Sequence, residues 1–158
     1  MDVIAGALED GKQVTVHMLQ SVTAFIRIFA DKCHHGKEEG HLFPLLQARG
    51  VPLTGCPLGA LLQEHQTGRK LVDNLEAATQ AYATEDSLDT RTSLSKVLRQ
   101  LMKLYPDHMW KEDFLAFPMT NKQGLRQKFA AVDAAIGQDL LNTQKAWAES
   151  LSQTGLKF

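Results

Sequence analysis

Two eleven-residue segments of this 158-residue chain repeat one pattern without a gap: His34-His35-Gly36-Lys37-Glu38-Glu39-Gly40-His41-Leu42-Phe43-Pro44 and His108-Met109-Trp110-Lys111-Glu112-Asp113-Phe114-Leu115-Ala116-Phe117-Pro118. His34 aligns with His108, Lys37 with Lys111, Glu38 with Glu112, Phe43 with Phe117 and Pro44 with Pro118. Residues four apart share a face of an α-helix, so each copy aims an imidazole and a carboxylate into the same space. One such pair alone is an ordinary exposed couple on a helix surface. Two in matching frames, with the lysine and the Phe-Pro exit also in register, are what two halves of a bundle meeting around a pseudo-twofold centre would carry.

The rest of the chain supplies the helices. Met18, Val22, Phe25, Ile26, Phe29 and Cys33 recur at spacings of three and four, which predicts a helix over about residues 12 to 43 carrying the first pair near its end. Pro44 then opens an irregular stretch through Gly50, Pro52, Gly55 and Pro57, because proline lacks a donor and disfavours helix before it. A second helix runs from about Pro57 to Tyr82 with Leu58, Leu61, His65, Val72 and Leu75 facing inward. A third spans about Ser87 to Phe117, with a kink expected at Pro106, one turn before His108. After a break at Asn121 to Gly124, a fourth amphipathic helix reaches about residue 152. Strand signals are nearly absent, and short links between long helices favour antiparallel neighbours. The fold class is all-α, an antiparallel helix bundle in one domain over residues 1–158: residues 12–118 carry the metal-binding helices, and 122–152 form an additional C-terminal helix.

Charge excludes several functions. Seventeen basic against eighteen acidic residues leave no footprint for nucleic acid or an anionic membrane surface. No apolar run approaches the roughly 18 residues of a membrane span, and no signal-like N-terminus is present, so the expectation is a cytoplasmic protein. Cys33 and Cys56 form neither CxxC nor CxxCH, and Cys33 reads as a small buried hydrophobe. No Ser- or Cys-centred hydrolase motif occurs.

What remains is metal chemistry. A bundle core surrounds an ion with inward Glu and His from several helices, and here three helices offer His34, Glu38, His65, His108 and Glu112. Mixed imidazole and carboxylate ligands suit iron, zinc or manganese, and bridging carboxylates favour two ions; redox-active iron is the first choice. Glu64 and Arg69 flank His65 as candidates for fixing its ring or neutralising charge. His35 also stands four before Glu39, but it aligns with Met109, a poor ligand for a carboxylate-rich iron site, so the repeat selects His34. His41 aligns with Leu115 and is peripheral. His17 lies about 25 Å along the helix from His34 at 1.5 Å per residue, outside the cluster.

Laid out this way, the chain resembles the hemerythrin-like, His-His-Glu cation-binding family over about residues 12 to 150. The resemblance rests on Phe29-Ala30-Asp31 through His34-His35-Gly36-Lys37-Glu38-Glu39 to Leu42-Phe43-Pro44, then Gly50-Val51-Pro52, Glu64-His65 with Gly68-Arg69, and His108 to Pro118. It implies a four-helix bundle around a non-haem di-iron centre, with roles in oxygen carriage or sensing, iron sensing, or defence against peroxide or nitric oxide. It maps the helical pairs onto His34 with Glu38 and His108 with Glu112, and the third-helix histidine onto His65.

The departure is N-terminal. The family begins with a helix bearing another histidine, whereas no histidine precedes His17 here, so the chain looks short of most of that helix. One side of the core is then expected to lie open, and a large exposed apolar patch normally finds a partner. A homodimer is the preferred remedy; the alternative is the C-terminal helix in the vacant slot, offering Asp133, Asp139 or a water. The leading functional expectation is an iron protein that binds or senses oxygen, peroxide or nitric oxide. The alternatives are a metal-free helical interaction or sensory module and a zinc-binding bundle.

Overall fold

The computed structural model of the chain describes residues 1–120 and 125–153. Among them there is no strand. A short N-terminal helix, Asp2–Glu9, precedes a first long helix over residues 16–47, a second over Leu58–Thr84, and a third that begins as Leu88–Lys111 and continues to Met119. Two further helices, Leu125–Ile136 and Gln138–Gln153, form a C-terminal pair. The three long helices pack as antiparallel neighbours, the N-terminal helix lies on the third, and the C-terminal pair lies on the first.

Local chemistry sets the boundaries. Gly11 ends the N-terminal region with φ +73°, a conformation a Cβ disfavours. Thr15 opens the first long helix by accepting a 3.2 Å hydrogen bond at Oγ1 from the Met18 amide. Ser87 opens the third through a reciprocal cap: its Oγ accepts from the Thr90 amide, and Thr90 Oγ1 accepts from the Ser87 amide.

The core falls into two apolar clusters. One joins Ile4 and Leu8 to Leu19, Val22, Leu75 and Leu98, and the other joins Leu42, Phe43 and Leu46 to Leu58, Leu61 and Ala116. On each long helix the candidate ligands lie between the residues given to these two clusters. The polar layer is therefore enclosed by apolar packing along the bundle axis.

Four local expectations need correction. The first long helix does not stop before Pro44. It runs to Gln47, with Pro44 in the first turn of Phe43–Gln47, where a missing N–H costs little. Upstream of it, Ile26–His35 and Glu38–Leu42 are π-helical. The third long helix passes through Pro106 as helix, and its irregularity comes later, as a π-helical turn over Glu112–Ala116. The C-terminal segment is not one helix but two, broken at Gly137 with φ +96°.

The fourth correction concerns Asp2–Glu9. Eight residues are too few to hold a helix alone, so tertiary contacts must hold it. Ile4, Ala5 and Leu8 are buried against the third long helix, Ser95 donates to Glu9, and Arg99 Nη2 donates to Glu9 Oε2 at 2.8 Å. This helix covers one end of the core. At the other end of the third long helix, Met109, Trp110 and Phe114 remain exposed.

Glycine positions test this packing. A Cβ at Gly59 would lie 2.9 Å from backbone atoms of Leu53 and Thr54, which cannot yield as a flexible side chain would. Gly59→Ala is expected to destabilise by about 1–3 kcal/mol. Gly6→Ala, with nothing within 4 Å of its Cβ, is expected to stabilise by up to about 1 kcal/mol. Urea denaturation of the two variants against the parent chain measures both.

Candidate metal centre

Two groups of ligand atoms converge in the polar layer. His35, His65 and His108 form one, and His34, Glu38 and Glu112 form the other; within each, the atoms lie within 4.8 Å of one another. All five residues expected from the sequence are thus brought together, and His35, which the repeat had set aside, joins them. His41 and His17 belong to neither group.

The π-helical backbone accounts for His35. An α-helix separates adjacent side chains by about 100°, so a choice between His34 and His35 is forced on that ruler. An i→i+5 turn holds more residues and separates neighbours by less. Along Ile26–His35 the two imidazoles can therefore both serve the centre, with ring centroids 5.6 Å apart.

Each buried imidazole is oriented from behind by a carboxylate. His65 Nδ1 lies 2.6 Å from Glu39 Oε1, His108 Nδ1 3.2 Å from Glu64 Oε2, and His35 Nδ1 3.3 Å from Asp31 Oδ1. An ionised carboxylate only accepts, so each Nδ1 carries the hydrogen and, in the neutral ring, Nε2 keeps its lone pair. That arrangement fixes tautomer and ring direction for metal binding. The outer carboxylates are held in turn. Arg69 donates to Asp31 at 2.7 Å and to Glu39 at 2.8 Å, and Lys111 Nζ donates to Glu64 at 2.6 Å.

Glu64 and Arg69 were candidate partners of His65. Glu64 instead orients His108, and Arg69 reaches His65 through Glu39. Asp31 and Glu39 were not singled out for this role, although Asp31 stands four residues before His35, a helical spacing that could have flagged it.

At the inner face, buried polar atoms lack hydrogen bonds: both Glu38 oxygens, His65 Nε2 and His108 Nε2. They are nonetheless close to partners. Glu38 Oε2 is 3.3 Å from His65 Nε2, and Glu112 Oε1 is 2.8 Å from His108 Nε2, without the alignment of a hydrogen bond. Buried polar atoms normally find a partner, so four orphans aimed at one space call for a ligand there. Lone pairs and carboxylate oxygens converging without a donor between them suit a cation, and the residues present fit one.

Electrostatics agree. Burial, together with the neighbouring His65 and His34 rings, pushes His35 down to about 4, so it is a neutral donor at physiological pH. Burial also acts to raise Glu112, but the His108 and His34 imidazoles beside it outweigh that and hold the carboxyl well below its ordinary range. It is a carboxylate when a cation arrives.

Two predictions follow from this layer. Glu38 is buried with neither oxygen hydrogen-bonded in the metal-free protein, and such a group is costly. Glu38→Leu is expected to raise the metal-free melting temperature by a few degrees while abolishing its rise on adding metal; scanning calorimetry with and without metal reads both. For Asp31 and Glu39, burial is the largest single influence and acts upward, but the hydrogen bonds and charge of Arg69, joined by those of His35 and His65, together outweigh it and lower both pKa values. Depressed carboxylates stabilise above the unfolded value of roughly 4 and lose that contribution as pH falls through the folded value. Arg69→Gln should therefore cost about 2 kcal/mol at pH 7, with the two stability curves converging in acid.

Comparison with known proteins fits this geometry. Uncharacterised proteins of Mycobacterium bovis and of two strains of Mycobacterium tuberculosis are each 31% identical to the chain over 126 residues, covering 80% of it and 46% of their own length. The chain thus spans about half the length of the curated relatives it matches. No solved structure matches. The model of the hemerythrin HHE cation-binding domain matches residues 2–120, which hold both ligand groups and the carboxylates behind them, and the chain belongs to that family.

Proposed function

We propose that this chain holds a non-haem iron centre of two ions between its long helices and uses it to bind or sense dioxygen, a peroxide or nitric oxide. The observation that carries the reading is the position of the two buried carboxylates between the two ligand groups. Glu112 Oε1 lies 2.8 Å from His108 Nε2 and 3.3 Å from His34 Nε2. Glu38 lies 3.3 Å from His65 Nε2 through one oxygen and 3.7 Å from His34 Nε2 through the other. Each carboxylate reaches imidazoles of both groups, as a bridging ligand must.

When bound, iron supplies a redox couple and a coordination position for a small ligand. The chain's own residues do the rest. His35, His65 and His108 present their Nε2 atoms, Glu38 and Glu112 would neutralise charge between the groups, and Asp31, Glu39 and Glu64 keep the rings from turning. The apolar clusters above and below restrict water. The His34 group has one imidazole where the other has three, so fewer protein ligands surround it and more room is left for an exogenous one. The nitrogen and oxygen donor set also suits zinc or manganese, which makes metal identity the deciding measurement.

Elemental mass spectrometry after anaerobic iron loading is expected to find about two irons per chain, a count that rests on the bridging geometry. His65→Ala combined with His108→Ala should bring this below one. Iron-dependent absorption that changes when air is admitted supports the redox reading. Zinc in place of iron, with no absorption, would replace it by the zinc bundle; no metal and no thermal shift would sink it in favour of a metal-free module.

A further inference from the structure

Four imidazoles reach the ligand layer, and three of them are held from behind by carboxylates. His34 is the exception: among the described residues nothing hydrogen-bonds to its Nδ1, and its side chain is 42% exposed. The repeat shows what stands in place of that carboxylate. In the second copy of the motif, Lys111 draws in Glu64 from the second long helix, and Glu64 orients His108. In the first copy, Lys37 at the matching position draws in Asp133 from the C-terminal pair, donating from Nζ to Oδ1 at 2.7 Å. The Cys33 thiol donates to the same oxygen at 3.2 Å.

One carboxylate oxygen thus ties the residue just before His34 to the residue three after it. Gly36 and Lys37 form a short α-helical join between the π-helical stretches Ile26–His35 and Glu38–Leu42, so the direction of His34 depends on how two widened segments meet. The C-terminal pair closes on that join. Val132 Cγ1 lies 4.0 Å from where a Cβ would stand on Gly36, and the Phe129 ring centroid lies 5.8 Å from Lys37 Nζ. Asp133 gains nothing from its own helix by this placement. It sits in the last turn of Leu125–Ile136, where the helix dipole opposes a negative charge, and Lys37 offsets that opposition.

We propose that Asp133 is a positioning residue for the His34 side of the centre. By clamping Cys33 and Lys37 it fixes the turn that aims His34, and through this clamp the C-terminal pair governs retention of the ion held by His34, Glu38 and Glu112. The inference rests on the two-ion reading. Asp133 lies outside residues 2–120, so the clamp comes from beyond the span matched by the family model.

The test uses the whole chain, loaded anaerobically with ferrous iron, and follows release of the metal to an excess of a ferrous chelator. Asp133→Ala should release one iron about tenfold faster than the parent chain, the lower end of what losing an outer partner of a metal ligand costs, and the other at the parent rate. Asp133→Asn keeps an oxygen acceptor for both Lys37 and Cys33 and should restore the parent release. Unchanged release in Asp133→Ala, or equal acceleration of both irons as in a general loosening of the fold, would overturn the proposal. So would release from Asp133→Asn as fast as from Asp133→Ala, which would assign the effect to the freed charge of Lys37. If the chain takes up fewer than two irons, the two-ion reading fails on its own, and the metal-free chain decides. There the His34 ring resonances should shift in Asp133→Ala and return in Asp133→Asn, while those of His65 and His108 stay in place; a His34 ring unmoved, or three rings moved together, would overturn the clamp.

Discussion

The Glu38 carboxylate is buried with neither oxygen hydrogen-bonded, and much of the surrounding structure follows from that one group. A bare carboxylate in a core is tolerated only if something positive approaches it. The imidazoles nearest to it are those of His65, whose Nδ1 hydrogen points away toward Glu39, and His34, whose Nε2 lies closer to Glu112. His65 cannot turn to donate to Glu38 without giving up Glu39, which is itself fixed by Arg69. The polar layer is thus braced from outside against collapsing on itself. The bracing spends stability that a simple apolar layer would keep, which is the usual signature of a site held ready for a ligand.

The backbone shares in that preparation. Three π-helical stretches occur among the described residues, and all carry or adjoin ligand residues: Ile26–His35, Glu38–Leu42 and Glu112–Ala116. Isolated π-turns are rare and concentrate at functional sites because their geometry is strained relative to the α-helix. Here the widened turns let consecutive histidines serve one layer. The second copy of the motif, with Met109 after His108, places a single imidazole in the layer and has π-geometry only from Glu112 onward. The asymmetry between the two ligand groups begins in this difference between the repeats.

This also explains which features were legible in the sequence. The His-Glu spacing, the long amphipathic helices and His65 depend on contacts within a helix or on its apolar stripe, which periodicity reports directly. The choice of His34 over His35 was not one the fold requires, because the α-helical ruler does not hold over Ile26–His35 and both rings reach the layer; local composition gives no sign of the wider turn. Glu64 was picked out but given the wrong histidine, since its partner lies on another helix and sequence spacing is silent across helices. The helix at Asp2–Glu9 is too short for a periodic signal to stand out, and only the third long helix makes it stable. Gly137 carried a weak breaker signal that the apolar stripe on either side of it, from Phe129 to Trp147, concealed.

Charge within the layer argues the same way. Glu38 and Glu112 lie inside and Asp31, Glu39 and Glu64 outside, and the side-chain cations that reach these carboxylates, Arg69 and Lys111, pair only with the outer three. Lys111 is shared with Asp107 as well, so it is committed to the outer side of the layer. The groups next to the inner pair are the imidazoles of His34, His65 and His108. Fixed positive charge is therefore placed behind the rings and withheld from the space where the ligand atoms converge, and a cation bound there supplies what Arg69 and Lys111 cannot.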